Sequence, residues 1–208
     1  LMVNEGECVV FTGPSGGGKT TLTRLLNALA PSYYTGTLTG TISINGKSLT
    51  QMPQYTVARQ IGSVFQDPKS QFFSSELAGE AAFACENYGF SAEEIRDRTD
   101  DAIVSFGLNG FRSRNLDVLS SGEKQKVAIA SVYALRPDIY VCDEPTSNLD
   151  KTGAEQLAAV FKQLKAEGHT IIIAEHRLSW LHGIADRFIY VRDGRVLWER
   201  NTAEMEQL

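Results

Sequence analysis

The segment Gly13-Pro14-Ser15-Gly16-Gly17-Gly18-Lys19-Thr20-Thr21 holds the residue types that most directly suggest chemistry. It fits the pattern G-x-x-x-x-G-K-[ST]. Glycines let successive backbone N–H groups turn toward one anion without side-chain clash. A helix opening near Thr20 would aim its unsatisfied N–H groups and positive dipole end at the same anion. Lys19 supplies a charge suited to β- and γ-phosphates, and the Thr20 hydroxyl suits Mg²⁺. The pattern carries weight only between a buried strand and a helix. Cys8-Val9-Val10-Phe11 reads as that strand, and the residues after Lys19 read as that helix. Binding of a nucleoside triphosphate follows; what is done with it does not.

A second group lies at Ile139-Tyr140-Val141-Cys142-Asp143-Glu144, an apolar run ending in two carboxylates. The carboxyl edge of a parallel sheet is where ligands sit, so both acids should lie near the phosphates. Asp143 suits the Mg²⁺ shell and Glu144 suits polarising an attacking water. A solvated strand end before the turn at Pro145 is the plainer reading, and the phosphate loop weighs against it. Gly122 precedes Asp143 by 21 residues, within Leu119-Ser120-Ser121-Gly122-Glu123-Lys124. Ser120, Ser121 and Gly122 open a helix through Val127, Ala130 and Ala134, which makes a second possible anion site. On residues alone an N-capped helix with a polar first turn fits this segment equally well.

These groups need a scaffold. Cys8–Phe11, Gly62–Phe65, Ile139–Cys142 and Ile171–Ala174 are short apolar runs rich in β-branched residues. Such runs are strands buried on both faces, as in a parallel sheet. Residues 152–167 place Leu157, Ala158, Phe161 and Leu164 on one helical stripe that stops at Gly168. Ser91-x-x-Glu94 is a capping box opening a helix toward Phe106. Asn45-Gly46 and Asp193-Gly194 read as hairpin turns that add antiparallel structure. An α/β fold is predicted: a P-loop NTPase with a mostly parallel core sheet, a small antiparallel β part and an inserted helical subdomain. Residues 1–66 and 137–208 would form the core, and 67–136 the helical part.

Composition narrows the partners. At 208 residues the chain can bury roughly 70% of its extended surface, enough for one self-sufficient domain. Twenty Lys and Arg against twenty-five Asp and Glu leave a net charge of −5, a poor match to a nucleic-acid backbone. No apolar run approaches the ~20 residues of a membrane span. Cys8, Cys85 and Cys142 form no Cys-x-x-Cys pair, which points to a reducing compartment such as the cytosol.

Leu119–Lys124 resembles the signature segment of ATP-binding-cassette (ABC) ATPases, and further motifs follow in that family's order. Gln66, after the run Gly62–Phe65, resembles the Q-loop glutamine. Ser147-Asn148-Leu149-Asp150 resembles the D-loop, and His176 resembles the switch histidine. Alone, His176 would be an ordinary packed or surface histidine and Gln66 a solvated loop residue; their order and strand-end placement raise both. The resemblance implies two cassettes face to face. ATP on one phosphate loop would be sandwiched by the partner's Ser120, Ser121, Gly122 and Glu123, with Ser147 and Asp150 at the same interface. It further implies Glu144 as general base, His176 and Lys19 at the γ-phosphate, and Thr20, Gln66 and Asp143 around Mg²⁺. The partner cassette would be identical, different or fused. Ser121 departs from the usual glycine and Glu123 from the usual glutamine, both tolerable in size and hydrogen bonding.

Phe65-Gln66-Asp67-Pro68-Lys69-Ser70-Gln71-Phe72-Phe73-Ser74 and Glu175-His176-Arg177-Leu178 resemble the energy-coupling-factor and cobalt-type importers. This implies uptake of a vitamin or metal ion through a transmembrane coupling protein, with the chain peripheral at the inner face of the membrane. Gln71, Phe72 and Phe73 would line the groove for a coupling helix. Two other readings compete: a non-transport ABC ATPase, and a small-molecule P-loop kinase. Long inserted coiled coils mark repair and chromosome types, but only 103 residues separate Lys19 from Gly122, without sustained heptads. The signature, D-loop and switch histidine argue against a kinase. The family carries an adenine-stacking aromatic some two dozen residues before the phosphate loop. Only twelve residues precede Gly13, with Phe11 their sole aromatic, so an N-terminally shortened segment is expected.

Overall fold

A computed structural model describes residues 1–205. The chain runs β1 (Cys8–Thr12), α1 (Lys19–Leu26), β2 (Ser43–Ile44), β3 (Lys47–Ser48), α2 (Gln54–Gln60) and β4 (Ile61–Val64). Three helices follow, α3 (Leu77–Asn87), α4 (Ala92–Ser105) and α5 (Ser121–Tyr133). It then returns through β5 (Ile139–Asp143), α6 (Lys151–Ala166), β6 (Thr170–Ala174), β7 (Arg187–Arg192), β8 (Arg195–Asn201) and α7 (Thr202–Met205).

Six strands form one sheet in the order β4-β5-β6-β1-β7-β8, and β2-β3 form a separate two-stranded antiparallel pair. All neighbours in the large sheet are parallel except β7 and β8. The fold is therefore the expected α/β class with a mostly parallel core. Every residue of β1 and β6 is buried, because each strand is covered on both faces. Alternation sorts the side chains. Cys8, Val10, Tyr140, Cys142, Ile171 and Ile173 pack toward α3–α6, while Val9, Phe11, Val141, Ile172 and Ala174 pack toward the side holding Leu22, Leu49 and Val57.

Local signals account for most boundaries. Asn45, Gly46, Asp193 and Gly194 all take positive φ, as a two-residue hairpin turn requires. Asp150 caps α6, accepting from the Gly153 N–H at 2.7 Å, and Gly168 follows its end at φ 88°. The predicted box at Ser91 forms by half. The Ser91 hydroxyl accepts from the Glu94 N–H, but the Glu94 carboxylate turns to Arg98 instead, at 2.9 Å. Strand β4 starts at Ile61 and ends at Val64, one residue earlier at both ends than the apolar run Gly62–Phe65 suggests. Gly62 lies in β4 because a Cβ there would come within 2.2 Å of Val132 Cγ1 and 2.8 Å of Pro137 Cγ.

Candidate functional site

The phosphate loop is shaped by a contact that motif reading does not reveal. Its back wall is the turn between β7 and β8: the Gly194 N–H donates to the Gly17 carbonyl at 2.9 Å. A Cβ on Gly13, at φ 133°, would lie 2.0 Å from the Val191 carbonyl oxygen, and one on Gly17 would lie 2.8 Å from it. Glycine is required here for close approach as well as for its backbone angles. Gly18 precedes α1 in the left-handed region, with no side-chain cap and no acidic residue in the first turn. The first N–H groups of α1 therefore face the loop with no anionic side chain supplied by the chain, a setting made for a phosphate. Ser15 and Gly16 form the exposed crest of the loop beside Pro14, and Thr21 is exposed on α1.

Lys19 is only 3% exposed. Its ammonium donates to the carbonyls of Gly13 (2.9 Å) and Pro14 (3.0 Å), so the loop itself aims it. Burial pulls its pKa below the ordinary lysine value, while Glu144, Asp143 and Glu175 pull it back up. Asp143, at the end of β5, accepts from the Thr20 hydroxyl at 3.1 Å. Its carboxyl is raised above the ordinary 3.8, first by burial and then by the Glu144 charge, with the Thr20 bond, Arg24 and Lys19 opposing.

That direction has a stability consequence. Raising a carboxyl's folded-state pKa means that its ionised form costs stability at neutral pH, a cost relieved as pH falls toward the unfolded value. Asp143→Asn is therefore expected to stabilise the fold at pH 7 while impairing function. Denaturant unfolding at pH 7 and at pH 3.5 checks the sign, since the gain should vanish at the lower pH.

Glu144 has φ 44°, a left-handed conformation costly for any residue with a side chain. It is fixed by its N–H, which donates to the Ala174 carbonyl at 2.8 Å. The carboxylate accepts from Gln66 Nε2 at 3.2 Å and lies 2.7 Å from His176 Nε2. The His176 ring also approaches Lys19 Nζ (3.2 Å) and Ser15 Oγ (3.4 Å). Sheet order brings residues 15, 19, 20, 66, 143, 144 and 176 together at one edge. Gln66 lies two residues beyond β4, and with Thr20 and Asp143 it lines a cleft of about 390 Å³ that also includes Arg24, Asn27, Tyr34 and Phe65.

The donor set fits a hard cation. Thr20 and Asp143 supply oxygens already in contact, with the Gln66 amide lining the same cleft. Among the described residues there is no cluster of three His, Cys, Asp or Glu that could hold a metal by itself. Mg²⁺ suits this arrangement because it is bound through one or two protein oxygens together with phosphates and water.

The signature residues lie elsewhere. Ser120 caps α5 in a full capping box: its hydroxyl accepts from the Glu123 N–H, and the Glu123 carboxylate accepts from the Ser120 N–H at 2.7 Å. The Ser120 hydroxyl also donates to that carboxylate at 2.7 Å, and this bond first, then the backbone one, depresses the Glu123 carboxyl below the ordinary range. Glu123 thus shapes the helix start. The signal was in the sequence, since Ser120 and Glu123 have the capping-box spacing. Ser120, Ser121 and Gly122 line a separate cleft of about 400 Å³ with Asn148, Asp150 and Gly153. No residue lines both clefts. Ser147 Oγ is buried without a hydrogen-bond partner among the described residues. Phe11 is buried in β1, so it offers no face to an adenine.

Gln71, Phe72 and Phe73 do not line the Gln66 cleft; Ser70, Asp67 and Phe65 do. The Gln71 side chain is held by the Phe65 N–H at 3.2 Å, Phe72 packs against the core, and Phe73 is exposed and stacked on Phe83.

Fold and site together define a P-loop nucleotide-binding domain. The sequence pattern of the ABC transporter family matches residues 1–147, and the chain belongs to that family as an ATP-binding domain of its ATPase class. A protein of Treponema denticola named as an ABC transporter ATP-binding protein is 42% identical over 196 residues, covering 94% of this chain and 40% of the relative. One of Methanosarcina acetivorans is 39% identical, covering 99% of this chain and 34% of the relative. The chain thus spans well under half the length of these relatives. Among solved structures, cbiO1 from Clostridium perfringens, part of the ABC transporter complex cbiONQ, superposes with a TM-score of 0.90 at 30% identity. That match covers 100% of this chain and 82% of cbiO1. The dimeric cassette MJ0796 bound to ADP and Pi gives 0.82 at 26% identity, covering 97% and 88%.

Proposed function

We propose that this chain is the ATP-hydrolysing cassette of an ABC importer, closing with a second cassette around ATP to drive uptake of a vitamin or metal ion. The observation that carries this reading is the separation of the two clefts. Contacts among Lys19, Thr20, Asp143, Glu144 and His176 bring the phosphate loop, carboxylate pair and switch histidine to one edge, while the signature serines face a different cleft. A signature that serves a phosphate must therefore serve one held by another cassette. The dimeric MJ0796 structures support such pairing, and the similarity to a component of cbiONQ supports the importer branch.

In this reading the loop N–H groups and Lys19 hold and orient the phosphates. Thr20 and Asp143, with Gln66, would hold Mg²⁺, which when bound neutralises phosphate charge. Glu144 accepts a proton from water as its oxygen attacks the γ-phosphorus, and the bond to the ADP oxygen breaks. His176, held by Glu144, orients that carboxylate and faces the γ-phosphate. Gln66 stands beside the Mg²⁺-binding oxygens at the start of the segment Phe65–Ser74, which would receive a coupling helix of the transmembrane partner, so that phosphate occupancy and membrane docking meet near one side chain. No helix among the described residues is long and apolar enough to cross a membrane, so the chain would reach the inner face through that partner.

Gly122→Asp tests the composite site. A Cβ at Gly122 meets only Gly153 Cα at 3.8 Å, and an acid in the first turn suits a helix N-terminus, so the fold should hold. ATP affinity of the separate cassette should stay within about twofold while hydrolysis falls by at least about 100-fold. Loss of affinity in the separate cassette would mean that the signature serves its own chain's nucleotide.

A further inference from the structure

We propose that Glu175 is a positioning residue for hydrolysis, locking the backbone of His176 to the turn Thr146–Leu149 so that the two move as one unit. This rests on the reading of the chain as an ATP-hydrolysing cassette.

Glu175 is 2% exposed, and nothing in the phosphate chemistry uses it. Its carboxylate accepts from three donors: the Thr146 hydroxyl at 2.5 Å, the His176 N–H at 2.8 Å and the Arg177 N–H at 3.2 Å. Its own N–H donates to the Phe11 carbonyl at 2.9 Å, anchoring it to β1 two residues before Gly13. Arg177 closes the ring, its guanidinium donating to the carbonyls of Leu149 (3.2 Å) and Thr146. Two adjacent strand ends, β5 and β6, are thereby bridged by side chains beyond the last ladder bond.

Burying a carboxylate is costly, and a well-packed neutral residue often serves stability as well or better. What the carboxylate adds is geometry. Two of its three bonds fix the peptides on either side of His176 Cα, and so set where the ring enters the space over Lys19 and Glu144. The third reaches the turn that carries Ser147, Asn148 and Asp150, and the latter two line the signature cleft. A displacement of that turn when a second cassette docks would therefore pass to His176 through Glu175 and Thr146.

The test is a double-mutant cycle in the full-length protein, following ATP hydrolysis. Glu175→Gln keeps size and one acceptor oxygen but replaces the other with an NH₂ group that cannot accept. It should lower kcat about tenfold with KM for ATP changed by less than about twofold. In a His176→Ala background the same substitution should cost less than about twofold, because the residue it positions is gone. Thr146→Val, which removes one donor and leaves the carboxylate, should behave alike and serves if Glu175→Gln does not fold. A full tenfold loss in the His176→Ala background, an unchanged kcat, or a parallel rise in KM would overturn the proposal. If the unsubstituted protein fails to hydrolyse ATP, the functional reading fails, and this inference with it.

Discussion

Glu144→Gln is expected to reduce ATP hydrolysis by about 10²–10⁴-fold while leaving ATP bound. The substitution is nearly isosteric, so the strained φ and the bond from the Glu144 N–H to Ala174 are untouched. Only proton acceptance is lost. The carboxylate is already poised between Gln66 Nε2 and His176 Nε2, at 3.2 and 2.7 Å, and a glutamine oxygen can keep one of these contacts. Steady-state phosphate release measures the rate, and binding of fluorescent ATP measures the affinity. A rate within threefold of the unsubstituted protein would remove Glu144 from the role of base and leave the role to another group at this edge.

Lys19→Ala should act on the other quantity. The ammonium is buried, aimed by the carbonyls of Gly13 and Pro14, and lies 3.2 Å from His176 Nε2. Its removal is expected to weaken ATP binding by about 100-fold or more, as loss of a desolvated charge partner does. Stability without nucleotide should change little or rise. Burial already lowers the pKa of Lys19, so its charged form carries a folding cost that alanine removes. Calorimetric titration with ATP and denaturant unfolding separate the two effects. Lost stability with retained affinity would make Lys19 a structural brace for its loop.

Much of this was legible in the sequence for identifiable reasons. Strands buried on both faces read as continuous apolar runs, so β1, β5 and β6 stand out in composition. Asn45-Gly46 and Asp193-Gly194 mark turns because both residues must take positive φ. The site residues are legible because phosphate chemistry restricts residue type at fixed spacing after a strand. What was hidden depends on contacts distant in sequence. Val191 and Gly194 lie more than 170 residues beyond the loop they support, and only the pairing of β7 with β1 brings them there. Glu175 reads as one more polar residue beside a histidine until Thr146 and Arg177 are seen around it. Glu123 spends its carboxylate on capping α5, a role its spacing from Ser120 already signals. The Gln66 cleft takes its lining from Phe65, Asp67 and Ser70, since the short 3₁₀ turn Pro68–Gln71 directs Phe72 into the core.

In the proposed function each ATP site needs two cassettes. Sedimentation of the 208-residue cassette carrying Glu144→Gln, with and without ATP, tests it most directly. A shift from monomer to dimer is expected on ATP addition, with two nucleotides held per dimer, reversed when ATP is removed and abolished by Gly122→Asp. A cassette that binds ATP yet remains monomeric at every concentration, or that transfers phosphate to a small acceptor as a monomer, would contradict it.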